Sequence, residues 1–368
     1  MRPIWQVRRH GPAIAFERSV DIHQATREYE RWLRRETPIV ASALRDKHAR
    51  MRDDLYAFLR GTYYRWAQLY PSVAADDRRA PRVLAVGDLH IDSFGTWRDS
   101  EGRLAWGVDD FDDAHPLPYT NDLVRLAASA RIARDAGLIE IRPRDACDAI
   151  LDGYVSTLGQ GGSPFVLAES HEHLEKLGIE ELKPPRHFWD RLREWPVVRD
   201  PPRSALTALG ALVTHPITHR TIVRREAGLG SLGQPRFAMI AECDGGEIAR
   251  EAKALISPTR YYQRAMTRAI RSADPFQRVV GRWIVKRLAP DSNPIEIATL
   301  SAKRDEARLV HAMGVETANV HLGSPAGAKA ALTDVRRRHS RWLHQAAKAM
   351  AQAIEQEWNE YRMRIAGA

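Results

Sequence analysis

The 368-residue sequence is short of cysteine, of acidic excess and of long apolar runs, and each shortage removes a class of protein. Its two cysteines, Cys147 and Cys243, lie far apart with no histidines at ligand spacing, which supports neither a disulfide framework nor a structural zinc site. Buried, reduced thiols are the expectation. No apolar stretch approaches the ~20 residues that span a bilayer, and the opening MRPIWQVRRHGPAIAF lacks an apolar signal core of adequate length. A soluble, cytoplasmic protein without membrane partners is expected. Lys and Arg number 56 against 47 Asp and Glu, a formal charge of +9, which favours polyanionic partners such as nucleotides, nucleic acid, phosphorylated substrates or acidic membrane surfaces, without choosing among them. Hydrophobic residues at 44% and charged residues at 28% describe a globular chain with a sizeable core.

Along the chain, periodicity predicts helices over Ala25 to Arg35 and over Lys47 to Leu69, the second closed by Pro71. Two short apolar runs of strand length follow, Arg82 to Val86 and Leu104 to Val108, each running into an acidic loop. Helical patterns return at Asn121 to Gly137 and Pro143 to Leu158. From Gly159 to Pro202 glycines and prolines break regular structure, and this stretch is the candidate boundary. Beyond it Thr221 to Arg225, Arg236 to Glu242 and Glu247 to Ile256 read as a small antiparallel meander. A helix over Pro258 to Arg271, a hairpin of Trp283 to Leu288 with Pro294 to Leu300, and long helical material from Ala328 to about Ile365 complete the pattern.

Four groups of residues carry chemistry. GDLHIDSFG, Gly87 to Gly95, sets Asp88 two positions before His90 on a strand-exit loop, where an aspartate serves as a base or metal ligand. VDDFDDA crowds Asp109, Asp110, Asp112 and Asp113 onto a second such loop. Carboxylates this dense are either solvated or neutralised by a hard cation such as magnesium. The glycines of Gly228-Leu229-Gly230-Ser231-Leu232-Gly233 sit between strand-like runs, which excludes a simple Rossmann fingerprint. That leaves a plain hairpin turn or a flap whose amides approach phosphates. Lys253 falls on the third strand of the meander, either a surface lysine or a phosphate partner. His90 is read as a brace of its loop, and Asp122 with Arg125 as a helix-start contact ordering the acidic loop. His171 with His173 and His215 with His219, the latter interrupted by Pro216, are weak metal suggestions read in preference as solvent-facing, and the clusters Arg8-Arg9, Arg224-Arg225 and Arg336 to Arg338 are read as solvated faces.

The segments KHARMRDDLYAFLRG (Lys47 to Gly61), VGDLHIDSFG, VDDFDDAHPLPYTNDLVRLAASA, AGLGSLG and REAKAL together resemble the bacterial family called domain of unknown function 2252. The resemblance implies an α+β, two-lobed fold like that of protein kinases and aminoglycoside phosphotransferases, circularly permuted, with a mainly helical large lobe and a small antiparallel-sheet lobe. It divides the chain into 1–205, the helical lobe with the catalytic loops, 206–300, the nucleotide-binding lobe, and 301–368, helices packing on the large lobe. It further implies ATP and magnesium as cofactors, Asp88 as the base with His90 beside it, and Asp110 as the principal metal ligand with Asp112 auxiliary. Gly228, Gly230, Ser231, Gly233 and Lys253 would hold the phosphates. Ser93 stands where that family pattern has a metal-binding asparagine, so it inherits that position or leaves its role to Asp92. The glutamate that pairs with the lysine in kinases has no counterpart in the helix after Pro258.

The function expected on these grounds is phosphoryl transfer from ATP to a small-molecule or protein acceptor. Two alternatives stay open: a catalytically weak pseudokinase or basic nucleic-acid or regulatory binding protein, and a metal-dependent phosphoesterase, because VLAVGDLH resembles the opening of calcineurin-like phosphatases.

Overall fold

The structure is a computed structural model and describes residues 20–167, 185–256, 259–290 and 303–363. It is a mixed α+β protein whose sheets are antiparallel. Four short helices come first: α1 (Ile22–Glu36), α2 (Ala41–Asp53), α3 (Leu55–Gly61) and α4 (Tyr63–Val73). The single helix expected over Lys47 to Leu69 is thus three. Asp54 makes the first break: its backbone is extended and its carboxylate accepts from the Tyr56 and Ala57 amides, both at 3.0 Å, capping α3. Thr62 makes the second, its hydroxyl donating to the Phe58 carbonyl at 2.6 Å. Pro71 does not close the run but lies inside α4, which continues to Val73.

Strands β1 (Arg82–Ala85), β2 (Phe94–Arg98), β3 (Leu104–Val108) and β4 (His115–Pro118) lead into α5 (Tyr119–Asp135) and α6 (Pro143–Gln160). β1 pairs with β4, and β3 lies between β2 and β5 (Phe165–Val166). The GDLH loop therefore leaves β1 and the DDFDDA loop leaves β3, so the two acidic loops exit short strands of two different sheets.

Past α7 (Pro185–Arg193) and α8 (Arg203–Gly210), one five-stranded antiparallel sheet forms from β6 (Ile217–Arg224), β7 (Arg236–Cys243), β8 (Gly246–Ala254), β9 (Arg278–Val280) and β10 (Trp283–Leu288), in the order β6-β7-β8-β10-β9. Strand alternation sorts its faces. Phe237, Met239, Ala252 and Val285 pack with Ala205 and Leu209 of α8, whereas Val223, Ala238 and Ile240 pack with Leu192 of α7. The hairpin partner of β10 is β9, which precedes it; the expected partner Pro294 to Leu300 lies outside the described residues. So do Arg8-Arg9 and His171 with His173.

The chain then returns through α9 (Thr259–Arg268, between β8 and β9), α10 (Lys303–Leu322), α11 (Pro325–Val335) and α12 (Trp342–Met363). One large core joins Phe58, Trp66, Trp106, Tyr154, Met313 and Ile354. Backbones approach most closely where α6 crosses α10: a Cβ on Gly153 would lie 2.3 Å from the His311 carbonyl oxygen, and one on Gly314 2.2 Å from that of Ile150. Cys147 is buried in this core, but Cys243 is only partly covered, contrary to expectation. Among the described residues no helix is long and apolar enough to cross a membrane.

Candidate active site

The loop after β1 is built around Asp122, at the start of α5. Its buried carboxylate accepts from the amides of Val86 at 2.7 Å and Gly87 at 3.0 Å, and His321 Nε2 lies 3.0 Å from it. Gly87 turns there with φ +90, and a Cβ on it would come within 2.5 Å of the Asp113 carbonyl oxygen, so the two acidic loops touch at a point only glycine permits. Asp122 does not pair with Arg125, as the sequence suggested. Each serves the loop separately. Arg125, fully buried beneath the rings of Tyr63 and Trp66, holds Asp88: its Nε donates to Asp88 Oδ1 at 2.6 Å and its Nη2 to the Leu59 carbonyl at 2.9 Å. Burial pushes the Asp88 carboxyl up and the Arg125 charge opposes it, with a net rise.

Ser93 and His90 fasten the rest of this loop. Ser93 Oγ accepts from the His90 amide at 3.0 Å and donates to the Asp88 carbonyl at 3.2 Å, while His90 Nδ1 accepts from the Asp92 amide at 3.2 Å. Burial holds the His90 ring well below its usual range, hence neutral. Asp92 forms an ion pair with Arg60 at 2.9 Å.

On the facing sheet, Lys253 reaches across. Its Nζ donates to Asp110 Oδ2 at 2.9 Å and also pairs with Asp112. Burial would raise the Asp110 carboxyl, but Lys253 and Lys286 outweigh it and hold it well below the usual carboxylate range. Burial and then the neighbouring Asp110 charge push Asp112 up to about 7, and Asp112 Oδ1 is a buried atom with no hydrogen-bond partner. Lys286, on β10, lies 3.6 Å from Asp109 Oδ2. Two lysines and the aspartates of one loop thus make a dense charge lattice at the mouth of the sheet.

Alternation separates Lys253 from its near neighbour Arg250. They point to opposite faces of β8, and Arg250 donates to the Leu212 carbonyl at 3.3 Å and lies over Phe276, away from the acidic loops. Glu251 shares the Lys253 face, where Arg236 meets it at 3.1 Å and Arg225 also pairs with it; these arginines outweigh burial and bring its carboxyl down to about 2. Among the described residues the partners of Lys253 are two aspartates and no glutamate.

The glycine loop, Gly228 to Gly233, borders the same cleft. A Cβ on Gly230 would lie 3.3 Å from the Arg60 carbonyl and 3.8 Å from Asp88 Oδ2. Its Ser231 and Leu232 amides close short turns on Gly228 and Leu229. The amides of Gly228, Leu229 and Gly230 have no acceptor among the described residues. Gly228 to Ser231 of the loop, Lys253, Asp88, Asp110 and Asp112 line one cavity of about 430 Å³; Gly233, expected among the phosphate-holding residues, does not line it and packs against Leu44 instead.

Sequence reasoning missed Lys286, the pairing of Arg125 with Asp88, and Lys47, whose Nζ donates to the Gly230 carbonyl at 2.7 Å. A signal for Lys47 existed: it shares a helical stripe with Leu44 and Met51, so a charge sits on an inward face. His215 and His219 do not form a metal pair; each lies beside its own acid, Asp244 at 3.2 Å and Glu242 at 3.8 Å. Arg225 and Arg338 are not solvated: Arg338 donates to Asp334 at 2.7 Å and also pairs with Asp77.

The fold and site define a mixed α+β protein with an acidic, lysine-bridged cleft under a glycine loop. Residues 39–184, which include both acidic loops, match the family described as Uncharacterized protein conserved in bacteria (DUF2252), and this segment belongs to it. No curated protein and no solved structure matches the chain.

Proposed function

We propose that the protein is an ATP- and magnesium-dependent phosphotransferase with a circularly permuted, two-lobed kinase-like fold. The observation that carries this reading is the Lys253 bridge to Asp110 and Asp112 in a cavity that also holds Asp88 and the glycine loop. A glycine loop between the first two strands of an antiparallel sheet and a lysine on the third is how kinases grip nucleotide phosphates. Here the acidic loops precede that sheet in the chain instead of following it, and catalysis depends on their position in space, not on chain order.

A magnesium ion fits the residues present. Asp112 Oδ1 is buried and unpartnered beside the ionised Asp110, and magnesium commonly takes one or two carboxylates with the rest of its shell from water and phosphate. When bound, the metal would neutralise charge on the terminal phosphates. The protein's own groups divide the remaining work. Lys253 and the unpaired glycine-loop amides hold phosphate oxygens; Asp88, steered by Arg125 through Oδ1, keeps Oδ2 for the acceptor hydroxyl and its proton. The acceptor is a hydroxyl compound small enough, or a peptide extended enough, to reach Asp88.

A second reading, nucleotide binding without transfer, draws on Ser93, whose hydroxyl is spent inside its own loop where the family pattern has a metal-binding asparagine. Thermal shifts with ATP, GTP and ADP, each with and without magnesium, test the proposal, since a ligand selective for the native state raises its stability. A magnesium-dependent shift with ATP is expected. No shift at millimolar ATP with magnesium rejects both readings, and a shift without turnover selects the second.

A further inference from the structure

Lys47 takes no part in the chemistry above, yet it is the group that fastens the glycine loop. It is 5% exposed, on the inward side of α2. Beyond its bond to the Gly230 carbonyl, the start of the same helix holds the loop's other end: the Val40 amide donates to the Gly233 carbonyl at 2.9 Å. Leu229 and Leu232 are buried against Val40, Ala43 and Ala57, and a Cβ on Gly233 would lie 3.2 Å from the Leu44 Cβ. The glycine loop is therefore clasped by α2 and α3 along its length.

Tethering alone does not need a charge. A buried ammonium is costly to desolvate, and an apolar or amide side chain would hold the loop at lower cost. The charge sits where it matters to an anion. Phosphate is held by successive amides, and the carbonyls of the same peptides oppose it unless they are turned away and neutralised. Here the amides of Gly228, Leu229 and Gly230 have no acceptor among the described residues, while the carbonyl that follows them in the loop, that of Gly230, is capped by an ammonium.

We propose that Lys47 is a positioning residue that sets the anion affinity of the glycine loop and makes that affinity fall in mildly alkaline solution; the inference rests on the phosphate-binding reading of the loop. Burial lowers the Lys47 ammonium to about 8, against the pull of Glu30 on α1 and of Asp88 and Asp113 on the acidic loops. Tyr29, also on α1, presents its ring 6.0 Å from Nζ and is held neutral by burial, and Glu30 is kept ionised by its bond to His48. A bound anion favours the protonated lysine, so affinity drops by up to about tenfold per pH unit above the Lys47 value. The last ionisation of a simple phosphate ester falls at ~6, and that of tripolyphosphate, which lies higher, is shared by all three proteins and cancels in their comparison.

The test measures calorimetric affinities of tripolyphosphate and of ATP, each with magnesium, from pH 6.5 to 9.5, on the natural protein, Lys47→Met and Lys47→Arg, with melting curves to verify folding. Carboxylates near the site remain in all three proteins and cancel in the comparison. At pH 7 the natural protein should bind like Lys47→Arg and at least tenfold more tightly than Lys47→Met. At pH 9.5 it should bind like Lys47→Met. If Lys47→Met does not fold, Lys47→Gln, which keeps a donor for Gly230, supplies the uncharged arm. Equal affinity of natural and uncharged proteins at pH 7, or a natural affinity unchanged from pH 7 to 9.5, overturns the role of Lys47. Tripolyphosphate binding with the stated pH profile but no ATP binding retains that role and removes the ATP reading. ATP binding equal across the variants does the reverse, and no binding of either probe to the natural protein overturns both.

Discussion

Lys253 Nζ lies 2.9 Å from Asp110 Oδ2, although 143 positions of chain separate them. The contact ties the five-stranded sheet to the acidic loop after β3, and each partner fixes the other's charge: Asp110 is held ionised, and Asp110 with Asp112 keeps the buried Lys253 protonated against its burial. A cleft with both signs of charge in place can receive a phosphate on one side and a cation on the other without first paying to rearrange.

Removing that lysine tests the tie. Lys253→Met leaves Asp110 and Asp112 facing each other without their cation, so binding of the magnesium–nucleotide complex should weaken at least tenfold by calorimetry. The fold should lose only about 1 kcal/mol in denaturant titrations, because Asp110 is 44% exposed and water takes over part of its stabilisation. Unaltered nucleotide affinity in a folded Lys253→Met would separate this lysine from the phosphates.

How far the sequence shows these relations depends on the kind of interaction. The placement of both acidic loops after short strands, of the glycine loop between two strands and of Lys253 on the next strand was legible, because glycine and aspartate clusters mark strand ends; that they share one cavity was not. Helix breaks were not. Asp54 reads as one more charge in a periodic run until its carboxylate is seen capping α3, and periodicity carries across such a cap unbroken. Asp122 and Arg125 share one turn of α5 and invite a local pairing, but burial gives each a more distant partner, Val86 and Gly87 for one and Asp88 for the other. Pairings of that kind depend on tertiary packing, which no local window contains.

The two acidic loops should fail differently when altered. Asp110→Asn is expected to abolish the magnesium dependence of ATP binding, read as thermal shifts with and without the metal. Asp88→Asn should leave nucleotide affinity within about threefold while reducing transfer by ~10²–10⁴, the usual contribution of a positioned base. Turnover retained by both variants would remove these loops from the chemistry.

Glu316 predicts a pH dependence of stability. It is 1% exposed on α10, accepts from the Val108 amide at 3.2 Å beneath the acidic loop, and burial pushes its carboxyl up to about 7 from 4.5. The folded protein thus binds more protons than the unfolded chain between those values. The stability due to Glu316 is complete below about pH 4.5 and is lost as pH rises through about 7. Glu316→Gln should flatten that part of the curve and stabilise the protein above pH 7 by about 1–3 kcal/mol, measured by denaturant titration at pH 5.5 and 8. A natural protein and variant with parallel curves would show that Glu316 does not titrate there.

Ser93 is where the chain leaves the pattern its neighbours follow, and its surroundings predict what each replacement does. The residue is 4% exposed, and its hydroxyl satisfies the His90 amide and the Asp88 carbonyl at once. Ser93→Ala orphans that amide, so it should cost about 1–2 kcal/mol and loosen the backbone that carries Asp88. Transfer should then fall more than nucleotide affinity, because Lys253 and the glycine loop lie on the other side of the cleft. Ser93→Asn is the informative change. Its amide oxygen can still accept from His90, and because Ser93 lines the same cavity as Asp110 and Asp112 the longer side chain is expected to add an oxygen ligand of the kind magnesium prefers. Magnesium should bind more tightly, or ATP turnover should rise, in direct comparison with the natural protein. Asp92, held by Arg60 at 2.9 Å, is the competing candidate for that role. If Asp92→Ala abolishes metal dependence while Ser93→Asn changes nothing, the ligand has moved one position along the loop; if Ser93→Asn destroys an activity that the natural protein shows, the serine has a role of its own that an asparagine cannot fill.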